Sequence, residues 1–191
     1  MKHLSIEGMD GVGKSTICAL VAEKLNYIFV EKPLHYLLDE NGEITQYQKV
    51  AERVNRNPDR VFTAWYYGLN NIYLYKRFQD SNIVTDRHIV SNYCWSGTNY
   101  NKDIYDLIVK EIGTPTLTII LYARPDVILS RMKKRNENDS NIPLVEKSEK
   151  AYEKMIYFCE LYKLNYRVID TSDKTPEEIV SEIIDLYKEL A

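Results

Sequence analysis

Residues 8–15 read Gly8-Met9-Asp10-Gly11-Val12-Gly13-Lys14-Ser15 and match the pattern G-x-x-x-x-G-K-[ST] at every fixed position. The octapeptide follows residues 3–7, which are predicted to form a strand, and opens a periodic segment at 14–25, which predicts a helix. Glycines let backbone N–H groups converge on an anion, and a helix N-terminus adds partial positive charge. The segment therefore predicts a loop that binds the phosphates of a nucleoside triphosphate.

Two side chains of this loop have predicted chemical roles. Lys14 is expected to bridge the outer phosphates, and the Ser15 hydroxyl is expected to bind Mg²⁺, the predicted cofactor that accompanies ATP. The predicted ATP-binding residues are Gly8, Met9, Asp10, Gly11, Val12, Gly13, Lys14, Ser15 and Thr16. Because ATPases, GTPases and kinases share such a loop, it predicts a bound triphosphate and leaves the reaction open.

Short apolar runs alternate with longer periodic segments along the rest of the chain. Further strands are predicted at 27–31, 83–85, 116–122 and 166–169. Helical segments are predicted at 43–79 with a break near Asn57-Pro58, from Pro125 onward, at 148–164, and from a cap at Thr175 to Leu190. This order favours an α/β fold: a P-loop NTPase three-layer sandwich in one domain, 1–191. Its five-stranded parallel sheet would carry helices on both faces and bind ATP at the carboxyl ends of the strands.

Composition narrows the classes of partner and compartment. The net charge of −3 argues against binding to a nucleic acid polymer, which requires clustered positive charge. The three cysteines, Cys18, Cys94 and Cys159, have neither a metal-ligand nor a disulfide-framework spacing. The sequence has no apolar run of the ~20 residues that a membrane span requires. These features predict a reduced, cytoplasmic protein with a small-molecule partner and no membrane partner.

Four segments together resemble a known family in order and spacing. Residues 6–16 read IEGMDGVGKST, 85–91 read TDRHIVS, 125–135 read PDVILSRMKKR, and VIDT at 168–171 precedes PEE at 176–178. They are similar to the thymidylate kinase family of nucleoside monophosphate kinases, which shows E-G-x-[DE]-G-x-G-K-[ST]-T, D-R-Y-x-x-S and P-E-x-x-x-x-R-x-x-x-R. The resemblance covers essentially the whole chain. It implies an ATP-dependent nucleotide kinase that forms homodimers.

Charged residues in these segments complete the predicted catalytic set. Asp86 follows a short apolar strand, so its carboxylate is expected to reach Mg²⁺ together with Ser15, and Arg87 offers a fork-shaped donor to phosphate. Arg131 and Arg135 lie four residues apart and therefore on one helix face. The predicted catalytic residues are Lys14, Arg87, Arg131 and Arg135. By resemblance, a mobile lid at about 131–147 closes over the loop and excludes water.

The acceptor residues follow the family only in part. The resemblance implies that Asp10 accepts a hydrogen bond from the acceptor's deoxyribose 3′-hydroxyl, and that Phe62 stacks on the base. Tyr66 stands where the family has an arginine on the acceptor phosphate, Glu31-Lys32-Pro33 replaces R-E-P, and Cys94-Trp95-Ser96 lacks the base-contacting glutamine. The predicted acceptor-binding residues are Asp10, Glu31, Lys32, Phe62, Tyr66, Arg87 and Ser91.

These departures leave three functions open. The first is transfer of the ATP γ-phosphoryl group to dTMP or a similar nucleotide. The second is a deoxynucleoside kinase, a related class that begins I-E-G-x-x-G-x-G-K-S-T, in which Glu31 would be the general base on a nucleoside 5′-hydroxyl. Such enzymes typically carry E-R-S, where this chain has Asp86-Arg87-His88. The third is a nucleotide-dependent switch without kinase activity, which the altered acceptor residues would permit.

Overall fold

Five parallel strands form the central sheet of the computed structural model, which describes residues 1–40 and 42–190. Their order across the sheet is β2-β3-β1-β4-β5. The strands are β1 His3–Gly8, β2 Ile28–Glu31, β3 Ile83–Asp86, β4 Leu117–Tyr122 and β5 Tyr166–Asp170. All four pairings are parallel, which confirms the predicted α/β fold with a five-stranded parallel sheet.

The central strands are buried because both faces of the sheet are covered. All six residues of β1 are buried, and so are five of the six in β4. The register pairs Ile6 of β1 and Glu31 of β2 with the same residue, Asp86 of β3. The loop after β1, the end of β2 and the end of β3 therefore meet at one edge of the sheet.

Helices flank the sheet in two groups. One group packs α1 against α9 and the strands β1 and β3, and the other packs α5 against α4, α8 and β1. The helices are α1 Lys14–Leu25, α2 His35–Leu38, α3 Thr45–Asn55, α4 Arg60–Phe78, α5 Ile89–Ser96, α6 Lys102–Ile112, α7 Pro125–Arg135, α8 Ser148–Leu161 and α9 Pro176–Lys188. Among the helices of the described residues, none is both long and apolar enough to cross a membrane.

The helical region predicted at 43–79 is two helices, as the Asn57-Pro58 break predicts. The second, α4, begins after Asp59, whose Oδ1 accepts from the backbone N–H groups of Val61 at 2.8 Å and Phe62 at 3.2 Å. Satisfying these free amides is why a carboxylate at this position starts a helix.

Helices α2, α5 and α6 are absent from the sequence prediction. In α5 every residue but Trp95 is buried. The helix therefore has no polar face, and its sequence does not show the alternation of polar and apolar residues from which a helix is predicted.

The segment predicted as a lid combines three local structures. It begins in the last turn of α7, continues through a loop at 136–141, and ends in a 3₁₀ helix, Ile142–Lys147, which packs against α7 and α8. Its mobility stays a prediction, as does the single-domain boundary at 1–191, whose last residue lies outside the described ranges.

Candidate active site

The phosphate loop depends on glycines at two positions. Gly8 and Gly11 have φ angles of +138° and +86°, a region that other residues rarely adopt. A Cβ on Gly8 would lie 2.5 Å from the carbonyl oxygen of Leu121, and one on Gly11 would lie 2.8 Å from Cγ of Met132. The backbone passes so close to β4 and α7 that a side chain at either position would clash with the protein.

Lys14 is held inside the loop. Its side chain is 6% exposed, and Nζ donates a hydrogen bond to the carbonyl oxygen of Met9 at 2.8 Å. Nζ also lies 3.7 Å from Oδ1 of Asp10. Burial lowers the pKa of Lys14 to about 8, and the charge of Arg87 adds to the lowering. The side chain therefore remains mainly an ammonium ion at neutral pH, and a phosphate chain in the loop would stabilise that charged form further.

Ser15 and Asp86 bring two hard oxygen atoms together. The Ser15 hydroxyl donates to Oδ2 of Asp86 at 2.6 Å, although the two residues are 71 positions apart. Within the described residues no cluster of three or more histidine, cysteine or acidic side chains forms a metal-binding group. A small number of protein oxygens fits Mg²⁺, which usually keeps waters and takes its other ligands from substrate phosphates.

Arg87 is the most connected cation of the site. Its Nη2 donates to Oδ1 of Asp10 at 2.6 Å, and its Nη1 donates to the carbonyl oxygen of Gly8 at 3.0 Å and to Oγ of Ser91 at 3.2 Å. Its backbone has φ +71°, and its N–H bonds to Ile6 at 2.9 Å. A strained conformation that surrounding contacts hold in place is a frequent feature of functional sites.

Asp10 connects the phosphate loop to the lid segment. Its Oδ1 takes the Arg87 bond, and its Oδ2 accepts from Nδ2 of Asn141 at 3.0 Å. Burial alone would raise the pKa of Asp10, but the positive charges of Arg87 and Lys14 outweigh it and lower the pKa to about 2. Asp10 is therefore a carboxylate over the whole physiological pH range. Its negative charge is balanced by the nearby cations Arg87 and Lys14, which offsets its repulsion of a phosphate bound in the loop.

A cavity of about 460 Å³ opens beside these groups. It joins the phosphate loop, the ends of β2 and β3, and the cations of α7. The predicted site residues that line it are Asp10, Gly11, Gly13, Lys14, Ser15, Thr16, Glu31, Lys32, Asp86, Arg87, Arg131 and Arg135. Both predicted metal ligands and all four predicted catalytic cations thus share one cavity.

The two lid arginines have protein partners at the cavity edge. Arg131 donates through Nη1 to Oγ1 of Thr171 at 3.1 Å and through Nη2 to its carbonyl oxygen at 2.7 Å. Arg135 forms an ion pair with Asp139 on the loop that follows α7. Arg131 is thereby fixed against the chain after β5, while the Arg135 pair joins two parts of the lid segment itself.

The predicted acceptor residues fall into separate groups. Glu31 and Lys32 line the cavity and form an ion pair at 2.9 Å, and Lys32 has a left-handed backbone, φ +46°. Phe62 and Tyr66 lie on α4 outside the cavity lining; the Phe62 ring is 48% exposed. The Tyr66 hydroxyl is buried with no hydrogen-bond partner among the described residues. Burial and, to a smaller extent, the electrostatic interaction with Tyr67 raise the pKa of Tyr66 to about 12. Tyr66 is therefore neutral at physiological pH and can donate a hydrogen bond.

Ser91, which was predicted to contact the acceptor, lies inside the protein. It is 4% exposed, and its hydroxyl donates to the carboxylate of Glu7 while accepting from Arg87. Two contact residues, Glu7 and Asn141, are absent from the sequence prediction. Glu7 is the one acid in the first strand, which is a signal that could have identified it. Nothing in the polar run 136–141 distinguishes Asn141 from its neighbours.

Comparisons with known proteins identify the family of the chain. The family model Thymidylate kinase matches residues 6–183. A Pyrobaculum aerophilum protein described as a probable thymidylate kinase is 25% identical over 197 residues, covering 98% of this chain and 97% of that protein.

Two solved structures share the fold. Thymidylate kinase from Candida albicans superposes with a TM-score of 0.71 at 19% identity, over 100% of this chain and 93% of that one. Deoxyadenosine kinase from M. mycoides with bound dCTP gives a TM-score of 0.64 at 19% identity, over 98% and 99% of the two chains. At these identities the likeness shows the fold alone.

The family match spans nearly the whole chain and includes the phosphate loop, Asp86, Arg87 and the lid arginines. The protein is thus an enzyme, a phosphotransferase that acts on a nucleotide or nucleoside, and a switch without kinase activity is not supported. The chain belongs to the thymidylate kinase family.

Proposed function

We propose that this kinase transfers the γ-phosphoryl group of ATP to the phosphate of a nucleoside monophosphate, with dTMP as the first acceptor to test. The observation that carries the proposal is the cavity in which the phosphate loop faces Lys32, Arg87, Arg131 and Arg135. Phosphoryl transfer depends on positioning and on neutralising charge, and no covalent intermediate is required. Several cations around one cavity beside the phosphate loop are what such a reaction needs.

Mg²⁺, when bound, neutralises charge on the β- and γ-phosphates. The Ser15 hydroxyl and the Asp86 carboxylate, 2.6 Å apart, would hold it directly or through its waters. Lys14 would move from the Met9 carbonyl to the phosphates, a short exchange of one acceptor for another. Arg131 and Arg135 would complete the positive lining from the lid side and exclude water when the segment closes.

The acceptor end would use Asp10, Arg87 and Lys32. Arg87 supplies a fork of donors and Lys32 a cation at the end of β2, which together offset the loss of positive charge where Tyr66 replaces an arginine. Asp10 would accept from a sugar hydroxyl through an oxygen that Asn141 now occupies. Phe62, half exposed on α4, would stack on the base. The Tyr66 hydroxyl is buried outside the cavity lining, so it would donate to the acceptor only after a movement that exposes it.

A second acceptor class has its own supporting observation. Glu31 ends β2 and lines the cavity beside Asp86, where a carboxylate would accept the proton of a nucleoside 5′-hydroxyl. The contact with Lys32 at 2.9 Å competes with that role, because it already occupies Oε2 of Glu31 as a hydrogen-bond acceptor. A deoxynucleoside kinase is therefore the second candidate.

The test is ADP release in a coupled assay with Mg-ATP against a panel of nucleosides and their monophosphates. Turnover with dTMP or another monophosphate supports the proposal. Turnover with nucleosides alone replaces it by the second candidate, and no acceptor-dependent turnover contradicts both.

Two neighbouring substitutions separate the candidates in the same assay. Lys32→Gln should raise the KM for a monophosphate by about tenfold, because a phosphate contact is lost, and Glu31→Gln should change kcat little. If Glu31 is the base, Glu31→Gln should instead lower kcat by about a hundredfold or more.

We also infer a homodimer and a cytoplasmic location. An apolar stripe on α4, with Val61, Trp65 and Leu69 between 43% and 51% exposed, supports a subunit interface. The cysteines Cys18, Cys94 and Cys159 are buried free thiols, which fits a reducing compartment. Leu69→Glu should convert a dimer to a monomer in light scattering; a monomeric wild type would contradict the interface.

A further inference from the structure

Glu7 is a carboxylate that the nucleotide chemistry described above does not use. It lies in β1, one residue before the phosphate loop, and is 0% exposed. Burying a charged or polar group is unfavourable unless it is hydrogen-bonded. Burial raises the pKa of Glu7, while hydrogen bonds from Ser91 and Ser5 and the charge of Arg87 act in the opposite direction. A buried acid that is retained at this cost requires an explanation.

The hydrogen bonds of Glu7 lead toward Arg87. Oε1 accepts from Oγ of Ser5 at 2.7 Å. Oε2 accepts twice from Ser91, from its backbone N–H at 3.2 Å and from its hydroxyl at 2.5 Å. Ser91 lies 84 residues along the chain, at the start of α5, so this carboxylate connects the first strand to the helix that follows Arg87.

The Ser91 hydroxyl has a fixed direction as a consequence. A hydroxyl has one proton and two lone pairs, and Ser91 gives its proton to Glu7. Only lone pairs remain for its other neighbour, and Nη1 of Arg87 donates to them at 3.2 Å. Without the Glu7 acceptor, the hydroxyl would be free to rotate and to point its proton at the guanidinium.

Arg87 needs this support because its own backbone is strained. Its φ of +71° is unfavourable for a side chain with a Cβ, so contacts around it must hold the conformation. Nη2 is held by Asp10 and Nη1 by Gly8 and Ser91. Ser91 is the one partner of these three that does not belong to the phosphate loop.

We infer that Glu7 is a positioning residue for Arg87 and that it acts through the Ser91 hydroxyl. The chain Glu7–Ser91–Arg87 fixes the angle at which the guanidinium faces the cavity. This inference rests on the proposed function only in that Arg87 contacts a phosphate during transfer. Ser91 then serves the reaction from within the protein, without touching the acceptor.

The test compares Glu7→Met and Ser91→Ala, which each break the chain, with Glu7→Gln and Ser5→Ala. Glutamine offers an oxygen to Ser91 and an amide to Ser5, so Glu7→Gln should retain kcat within about fivefold of the wild-type value. Glu7→Met and Ser91→Ala should each lower kcat by about tenfold to a hundredfold, the range for a misplaced catalytic group. Ser5→Ala removes the other donor to Glu7 and should keep kcat within about twofold, since its bond does not lead to Arg87.

A double-mutant cycle tests the route. In an Arg87→Ala background, Glu7→Met and Ser91→Ala should cause no further loss of kcat, whereas a direct contact of Ser91 with the acceptor would add its own loss. A purely structural Glu7 would lower Tm in Glu7→Met and leave kcat unchanged at temperatures where the variant is folded. That result would overturn the inference. So would a further loss of kcat when Glu7→Met or Ser91→Ala is added to Arg87→Ala. If Glu7→Met does not fold, the comparison is made between Ser91→Ala, which breaks the hydrogen-bond chain, and Glu7→Gln, which keeps it.

A readout without an acceptor separates this inference from the proposed function. In ¹⁵N-arginine-labelled protein, the Arg87 guanidinium N–H signals should exchange slowly in the wild type and in Ser5→Ala, and rapidly in Ser91→Ala and Glu7→Met. Failure of every acceptor in the panel contradicts the proposed function only. Unchanged Arg87 exchange in Ser91→Ala and Glu7→Met contradicts the positioning role whatever the acceptor is.

Discussion

Replacing His88 with phenylalanine should make the protein more resistant to acid. His88 follows Arg87 but turns away from the cavity, is 3% exposed, and has no hydrogen-bond partner for either ring nitrogen among the described residues. Its ring packs edge-on against His3, with centroids 4.8 Å apart, and lies 5.5 Å from the ring of Tyr75. Burial lowers the pKa of His88 from 6.5 to about 3, so the folded protein keeps it neutral.

The magnitude follows from proton linkage. Because the pKa of His88 is lower in the folded chain than in the unfolded one, the unfolded chain binds this proton first as the pH falls. Stability from this group is therefore complete above pH 6.5 and declines from there toward pH 3. At about 1.4 kcal/mol per pH unit, the loss between pH 7 and pH 4 is about 3 kcal/mol.

The assay is urea unfolding of the wild type and of His88→Phe at several pH values between 7 and 4. No hydrogen bond is lost in the substitution, and any repacking cost is independent of pH. That cost shifts the difference between the two curves by a constant and does not affect how the difference changes with pH. The variant should gain about 3 kcal/mol relative to the wild type over this range. His88→Leu, a second side chain that does not titrate, should give the same pH dependence with a different constant offset.

A difference between wild type and variant that stays constant from pH 7 to pH 4 would refute the reasoning. It would mean that the folded protein accommodates a charged His88, for example through movement toward a proton acceptor. His3 remains in both proteins, and its own pKa is lowered by burial and then by His88, so a small residual dependence on its titration is expected.

Three further predictions concern the loop and one helix cap. Lys14→Met should lower kcat/KM for ATP by about a hundredfold or more, since a cation on the transferring phosphates is lost, and steady-state kinetics with varied ATP measures it. Gly8→Ala should destabilise the fold by more than about 2 kcal/mol in urea unfolding, because its Cβ would approach the Leu121 carbonyl oxygen to 2.5 Å. Thr175→Ala should cost about 1 kcal/mol, because Thr175 and Glu178 form a capping box at α9, while Thr175→Ser should be near neutral.

The amino-acid sequence predicts those parts of the molecule that depend on neighbours along the chain. The phosphate loop is such a part, because the glycine conformations and the helix start that follows them are set within eight residues. Strand β4 is another, since a short uncharged apolar run has few alternatives to a buried strand. The break before α4 follows from Pro58 and the Asp59 cap.

Polar contacts at the site were harder to predict, even between residues that the sequence singles out. Asp10 is identified by its position in the loop, but its bonds to Arg87 and Asn141 span 77 and 131 residues. Ser91 was predicted to contact an acceptor, whereas its hydroxyl donates to Glu7 inside the protein. No local pattern distinguishes these two uses of a serine.

The sequence by itself therefore determined the strand–loop–helix unit, the parallel α/β sheet and the kind of ligand that the loop binds. Only the tertiary structure decided which charged groups meet in the cavity. The parallel register sets Glu31 and Ile6 beside Asp86, and this in turn sets where Arg87 lies relative to Asp10. The physical reason is that local conformation depends on sterics and periodicity over a few residues, whereas the partners of a buried charge are selected by the packing of strands and helices far apart in the chain.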